Sequence, residues 1–162
     1  MIDDHLLEAS EALLAQCRAM GLKIATAESC TGGLLSAALT AIPGSSDIFE
    51  RGFATYSNEA KAECLGVPLA LIAAHGAVSA EVARAMADGA LARSAAQLSV
   101  AVTGVAGPGG GGEAKPVGLV FIAVARRGAM IEVERHVFAG DRAAIRESSV
   151  AAALALLSRQ AS

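Results

Sequence analysis

The sequence predicts an α/β fold: a single-domain α/β/α sandwich with a mixed, mostly parallel sheet and a C-terminal antiparallel hairpin. Two observations support this. Up to residue 104, short apolar stretches alternate with segments of helical periodicity, as in strands connected by helices. Two β-rich stretches around the turn at 127–129 then predict a hairpin. Neither a repeat nor a linker interrupts the 162 residues, so we expect one domain over residues 1–162.

The predicted elements follow one another with recognisable start and stop signals. Helices are expected at 3–20, 34–39, from Asn58 as a cap, from Ser79 to about 96, and from the Asp141 cap to about 158. Strands are expected at 23–27, 48–57, 98–102, 117–126 and 130–138. The segment 104–112 contains six glycines and one proline, so it must be a loop.

Composition excludes several classes of protein. The net charge of -3 offers no basic face for a row of phosphates, so direct binding to nucleic acid is not expected. The three cysteines lack a Cys-x-x-Cys pair, and we expect no metal site and no cofactor. The N-terminus is acidic and no apolar run approaches the roughly 20 residues of a membrane span. A cytoplasmic protein without membrane contact is therefore expected.

The turn after the first predicted strand is the first candidate for chemistry. Ser29 stands there between a strand and a helix, where free backbone N–H groups can hold an anion or an oxyanion. Ser29 is a candidate nucleophile, but Ser29 or Thr31 could equally be an ordinary N-cap. Cys30 is a rival nucleophile, although the three histidines lie in peripheral segments and the thiol fits a core position better.

A serine nucleophile needs a base. Without a suitably placed histidine, the candidates are Tyr56 and Lys61, in the segment Tyr56-Ser57-Asn58-x-x-Lys61. Lysine acts as a base only when neutral, so its pKa would have to fall well below about 10.4. The alternative is that Lys61 is a solvated helix residue.

Two further segments could contact a ligand. The stretch beginning at Thr103 and Gly104 exposes backbone N–H groups to a phosphate or a flat ring. It is not a P-loop, because Lys115 is followed by Pro116 and a strand instead of a helix. Arg142, at the start of the last helix, could hold a phosphate or could simply face solvent.

In order, these segments resemble the C-terminal domain family of the competence/damage-inducible protein CinA. The matching blocks are Thr26-Ala-Glu-Ser-Cys-Thr-Gly-Gly33, Pro43-Gly-Ser-Ser46, Tyr56-Ser-Asn-x-x-Lys61, Gly76-Ala-Val-Ser79, Thr103-Gly-Val-Ala-Gly-Pro-Gly-Gly110 and Lys115-Pro-Val-Gly118. The resemblance implies an α/β/α fold and, in active members, hydrolysis of the carboxamide of nicotinamide mononucleotide to nicotinate mononucleotide and ammonia. Larger members carry a molybdopterin-like N-terminal domain, and its pyrophosphatase activity is not expected in this chain.

The resemblance also implies roles for individual residues. Ser29 becomes the nucleophile, with Lys61 and Tyr56 activating it and shuttling protons, and Arg142 holding the substrate phosphate. Thr31, Gly32, Gly33, Thr103 and Gly104 would complete the substrate site, with N–H groups near Gly32 and Gly33 stabilising the oxyanion. The implied mechanism passes through an acyl-enzyme without a metal.

Two alternatives stay open. The chain could be a non-catalytic interaction or nucleotide-sensing module, as the family's association with competence and DNA damage suggests, or an amidohydrolase of another carboxamide. The partner expected on the main hypothesis is a small-molecule nucleotide substrate. The half-exposed strand near 131–138 and the alanine-rich helices offer self-complementary surfaces that would suit a homo-oligomer.

Overall fold

A computed structural model describes residues 1–162 of the chain. The strands are β1 (Ile24–Glu28), β2 (Phe49–Ala54), β3 (Leu98–Gly104), β4 (Leu119–Arg126) and β5 (Glu132–Val137). The helices are α1 (Asp4–Met20), α2 (Leu34–Thr40), α3 (Asn58–Leu65), α4 (Leu69–His75), α5 (Ala80–Ala92) and α6 (Arg142–Gln160), with a short 3-10 turn at Ser45–Asp47.

The five strands form one mixed sheet in the order β2-β1-β3-β4-β5. The β1 strand pairs in parallel with both β2 and β3, whereas β3 with β4 and β4 with β5 pair antiparallel. The mixed sheet and the C-terminal hairpin are confirmed, and the parallel pairings are confined to the first three strands. Because those three strands run in one direction, the loops after them meet at the same edge of the sheet.

Helices cover both faces of the sheet, which confirms the α/β/α sandwich. Helices α1, α2 and α6 pack on one face, and α5 packs on the other with α3 and α4 beside it. The α5 face is built from small side chains: alanines of the helix pack on alanines of β3 and β4. Small side chains let the helix approach the sheet closely, as the low aromatic content predicts.

Several predicted boundaries changed. Helix α4 was not predicted, and α5 ends at Ala92 instead of near residue 96. Ser79 and Asp141 cap α5 and α6 as predicted. The prediction of Asn58 as the cap of α3 was wrong: the Ser57 side chain accepts the hydrogen bond from the Ala60 N–H.

The outermost strand β5 is half-exposed, as its alternating pattern predicts. Val137 is 55% exposed although it belongs to the apolar set of that pattern. Glu134 and His136 point to the other face and are half-buried there. No helix of the chain combines the length and the apolar character needed to cross a membrane.

Candidate active site

A cavity of about 280 Å³ opens where β1 and β3 end. Its lining includes six of the predicted site residues, which come from five separate segments: Ser29, Tyr56, Lys61, Thr103, Gly104 and Arg142. The three others, Thr31, Gly32 and Gly33, do not line it. The Thr31 side chain is fully buried beneath the turn, so it is not placed to contact a ligand in the cavity.

Ser29 and Lys61 meet directly at the floor of this cavity. The Nζ atom of Lys61 lies 2.9 Å from Oγ of Ser29. The same nitrogen donates to the Thr55 carbonyl oxygen at 2.8 Å. The serine hydroxyl and the lysine amine are therefore within proton-transfer distance without an intervening group.

The Lys61 side chain is only 1% exposed and is among the largest fully buried side chains in the chain. This excludes the interpretation of Lys61 as a solvated helix residue. Burial disfavours the charged ammonium and lowers the pKa of Lys61 below its ordinary value. No carboxylate pairs with it to oppose that effect. Burial therefore makes the neutral amine, the form that can accept a proton, more accessible than in an exposed lysine.

The turn from Ser29 to Gly33 presents the serine without using it as a helix cap. Helix α2 has Gly33 at its N-cap position and no side chain of that residue to cap it. Instead the buried Glu28 carboxylate accepts hydrogen bonds from the Leu35 and Ser36 N–H groups and from the Ser36 hydroxyl. Because Glu28 takes over the capping, the Ser29 hydroxyl stays free for Lys61. The capping role of Glu28 was not predicted.

The backbone of this turn leaves several donors open. The Gly32 N–H donates to the Ser29 carbonyl oxygen at 3.0 Å, so it is already engaged within the turn. The role predicted for N–H groups near Gly32 and Gly33 stays a prediction. The N–H groups of Cys30, Thr31 and Gly33 donate to no other protein group. Unpaired N–H groups of this kind beside a serine are the usual means of stabilising an oxyanion.

Arg146, a residue that sequence reasoning missed, holds the outer side of the same turn. Its Nε donates to the Cys30 carbonyl oxygen at 3.2 Å and its Nη2 to the Thr31 carbonyl oxygen at 2.8 Å. Arg146 lies one helical turn after Arg142 on α6, so both guanidinium groups leave the same helix face. That spacing was the only available signal.

Tyr56 and Arg142 close the mouth of the cavity together. The guanidinium of Arg142 donates to the Tyr56 hydroxyl at 2.7 Å and to the Gly107 carbonyl oxygen at 2.9 Å. Tyr56 is 62% exposed and its hydroxyl forms no hydrogen bond with Ser29 or Lys61. Arg142 is thus an exposed cation that is anchored at the cavity edge, as a phosphate-binding residue would be.

The glycine-rich loop is held in place from two sides. The Thr103 hydroxyl donates to the Ala77 carbonyl oxygen at 2.9 Å, which ties β3 to the loop before α5. The Lys115 ammonium donates to the His75 carbonyl oxygen at the end of α4. A Cβ at Gly104 would lie 2.8 Å from the Leu119 carbonyl oxygen, so β4 requires glycine there. These contacts shape the cavity wall opposite Ser29.

Cys30 is not equipped as a nucleophile. Burial raises the pKa of its thiol to about 11, which keeps the thiol protonated. The three histidines do not line the cavity, and no group of three His, Cys, Asp or Glu side chains is close enough to hold a metal ion.

Asn58 also lines the cavity and was missed as a site residue. Because Ser57 caps α3, the Asn58 amide keeps its donors and its acceptor without a protein partner. It lies one helical turn before Lys61, on the same side of α3.

These features define a class of small α/β proteins in which one cavity at the strand ends brings together a serine, a buried lysine and an anchored arginine. Within that class, the chain belongs to the CinA C-terminal domain family, whose model matches residues 7–161. The resemblance stated from the motifs is thereby confirmed.

Individual relatives differ in length. The chain is 47% identical to the nicotinamide-nucleotide amidohydrolase PncC of Escherichia coli K12, over 99% of this chain and 97% of that protein. It is 48% identical to a competence-damage inducible protein of Caldicellulosiruptor bescii, over 98% of this chain but only 38% of that protein. The chain thus spans less than two fifths of the longer relatives.

Solved structures agree with the fold. The crystal structure of the competence/damage inducible protein CihA from Agrobacterium tumefaciens superposes with a TM-score of 0.95 and 44% identity, over 97% of this chain and 96% of that one. A CinA superfamily protein from Escherichia coli gives 0.91 and 36%, over 98% and 94%.

Proposed function

We propose that the chain hydrolyses the carboxamide of nicotinamide mononucleotide to nicotinate mononucleotide and ammonia, with Ser29 as nucleophile and Lys61 as general base. The near full-length relative named nicotinamide-nucleotide amidohydrolase supports the substrate. The observation that carries the proposal is the 2.9 Å contact between the Lys61 amine and the Ser29 hydroxyl. The chain as a single domain over residues 1–162 is part of the same proposal.

In the first step, the Ser29 oxygen attacks the carboxamide carbon while neutral Lys61 takes the hydroxyl proton. The carbonyl oxygen becomes an oxyanion, and the free N–H group of Cys30, which lines the cavity beside Ser29, is the donor we assign to it. A single donor of this kind contributes about 3 to 4 kcal/mol to transition-state stabilisation.

In the second step, the tetrahedral intermediate collapses and its carbon–nitrogen bond breaks. The Lys61 ammonium returns its proton to the leaving nitrogen, which departs as ammonia and leaves an ester on Ser29. A water molecule then attacks the ester carbon while Lys61 takes the water proton. The bond to the Ser29 oxygen breaks, the proton returns to that oxygen, and the carboxylic acid product leaves as its anion.

Binding would use the other side of the cavity. Arg142 is the group that pairs with the substrate phosphate, because a guanidinium can form two parallel hydrogen bonds with it. The Thr103–Gly104 segment, which lines the same cavity, would contact the rest of the substrate. Tyr56, bonded to Arg142 in the structure, shuttles protons only if its hydroxyl leaves that arginine, which phosphate binding to Arg142 would allow.

The partner we propose is the small-molecule nucleotide substrate, and we propose no nucleic acid or membrane partner. We propose a cytoplasmic location, and a homo-oligomer stays a prediction.

The decisive experiment is ammonia release from nicotinamide mononucleotide by purified protein with a chelator present. We expect turnover by the wild type, a fall in kcat of about 10²- to 10⁴-fold in Lys61→Ala and at least as large a fall in Ser29→Ala. Cys30→Ala is the matched control and should stay active. A folded wild type without turnover would favour the interaction or nucleotide-sensing module instead.

The substrate assignment has its own comparison. Arg142→Met should raise KM for nicotinamide mononucleotide at least 10-fold, yet leave kcat/KM for the riboside, which lacks the phosphate, nearly unchanged. Equal losses with both compounds would point to another carboxamide.

A further inference from the structure

Arg146 makes no ion pair, and its two hydrogen bonds both go to backbone carbonyl oxygens next to the nucleophile. This guanidinium contacts neither a carboxylate nor the cavity, so its donors serve only to hold the backbone beside Ser29. We propose that Arg146 is a positioning residue that holds the turn after Ser29 so that the Cys30 N–H faces the cavity. This inference rests on the proposed function.

The first part of the argument is peptide geometry. In a planar trans peptide the C=O and the N–H point in opposite directions. The bond between Cys30 and Thr31 is trans, since the only cis bond of the chain is Gly107–Pro108. When Arg146 holds the Cys30 carbonyl oxygen, the Thr31 N–H is therefore directed away from Arg146.

The second part concerns the neighbouring peptide units. Arg146 also holds the Thr31 carbonyl oxygen, and this fixes the following Gly32 N–H. That N–H donates to the Ser29 carbonyl oxygen, which in turn sets the direction of the Cys30 N–H. One guanidinium thus orients three consecutive peptide units, and the Cys30 N–H, which has no protein acceptor, points away from Arg146.

The third part concerns the other hydrogen bonds that could hold the backbone between Cys30 and Gly33. The Thr31 hydroxyl has no hydrogen-bond partner, and the N-cap residue Gly33 has no side chain. The remaining hydrogen bonds of this backbone are those of Gly32 to Ser29, Leu34 to Thr31 and Ala37 to Gly33. The peptide between Cys30 and Thr31 has no hydrogen bond except the one from Arg146, so Arg146→Met leaves its orientation to side-chain packing alone.

The test compares Arg146→Met and Arg146→Lys with the wild type, using nicotinamide mononucleotide and an analogue that carries an aldehyde in place of the carboxamide. The aldehyde adds to a serine hydroxyl and forms a tetrahedral adduct, so its affinity reports the oxyanion donors. We expect Arg146→Met to lower kcat and the aldehyde affinity together, by about 10- to 100-fold, which is below the loss expected for a deleted donor. KM and the affinity for nicotinate mononucleotide should change less than about 3-fold, because the ground state makes no such contact.

Arg146→Lys distinguishes the positioning role of Arg146 from a general loss of folded protein. Its single ammonium keeps the charge but cannot hold both carbonyls in a fork, so both quantities should fall by an intermediate factor. If Arg146→Met does not fold, Arg146→Lys decides alone. Arg159→Met, at the far end of the same helix, is the matched control and should behave as wild type.

The outcomes distinguish the two proposals. An active wild type with kcat and aldehyde affinity unchanged in the Arg146 variants overturns the role of Arg146 only. A fall in kcat without a fall in aldehyde affinity overturns it as well, because the oxyanion donors would then be intact. A wild type that neither turns over the nucleotide nor binds the aldehyde overturns the proposed function and this inference with it.

Discussion

The side-chain nitrogen of Lys61, on α3, lies 2.9 Å from the hydroxyl oxygen of Ser29, on the turn after β1. The lysine is buried and has no anionic partner, which is an environment that favours the neutral amine. A serine and a neutral lysine at this distance can exchange a proton. The first two predictions follow from this pair.

The first prediction concerns the pH dependence of catalysis. Because only the neutral amine can accept the Ser29 proton, kcat/KM for nicotinamide mononucleotide should rise with pH and reach a plateau. The apparent pKa of that rise should lie below the ordinary lysine value of 10.5, since burial lowers the pKa of Lys61. Initial rates between pH 6 and 10 measure it, and a rate independent of pH over the whole range would contradict the assignment of Lys61 as the base.

The second prediction concerns stability. The pKa of Lys61 is lower in the folded chain than in the unfolded chain, so the unfolded chain binds more protons between the two values. The free energy of unfolding of the wild type, minus that of Lys61→Met, should therefore increase with pH between the folded pKa and about 10.5, and be constant below the folded pKa. Denaturant unfolding from pH 7 to 10 measures this difference.

Subtracting the value for Lys61→Met separates the titration of Lys61 from that of the groups that both proteins share. The thiols of Cys17 and Cys30, whose pKa burial raises to about 11, are present in both proteins. The Cys17 contribution cancels, and the folded-state titration of Cys30, which Lys61 influences, falls above the measured range. A difference that decreases as pH rises would mean that the lysine is stabilised as an ammonium, against the prediction.

The third prediction concerns Glu28, whose carboxylate caps α2 through three hydrogen bonds. Glu28→Gln replaces one acceptor oxygen by an NH₂ group, which would face the N–H and hydroxyl donors of Leu35 and Ser36. The free energy of unfolding should fall by about 2 to 3 kcal/mol. The exposed Glu8→Gln on α1 is the control and should stay within about 0.5 kcal/mol of the wild type. Equal stabilities of the two variants would show that the cap contributes little.

The fourth prediction concerns Gly89, in the middle of α5. Alanine is usually better than glycine inside a helix by about 1 kcal/mol. Here a Cβ would lie 2.0 Å from the Leu65 carbonyl oxygen at the end of α3, so α3 would have to move. Gly89→Ala should therefore destabilise the chain by about 1 to 3 kcal/mol. It should also lower kcat, because α3 carries Lys61.

Gly112→Ala is the matched control for that substitution, since a Cβ at Gly112 has no neighbour within 4 Å. Thermal unfolding and ammonia release measured on both variants complete the comparison. A Gly89→Ala protein at least as stable as the wild type would refute the close approach of α3 and α5.

The sequence predicted the order of the elements well, because their signals are local. The caps at Ser79 and Asp141 and the loop at 104–112 depend on residues a few positions apart. The short helix α4 was missed because Leu69 to His75 is apolar and alanine-rich on every side and shows no clear periodicity. Asn58 was wrongly taken as a cap because Ser57 beside it is an equally good one.

What the sequence by itself determined is the fold class, the family and the segments that supply the candidate site. What only the tertiary structure decided is how those segments meet: Lys61 reaches Ser29 across 32 residues, Arg142 reaches Tyr56 across 86, and Arg146 reaches Thr31 across 115. Burial of a lysine, the free hydroxyl of a serine and the use of an arginine to hold backbone depend on the order of the strands. Local periodicity carries no information about that order. The contacts of the site were therefore found only in the folded structure, where the sheet places the ends of β1 and β3 side by side.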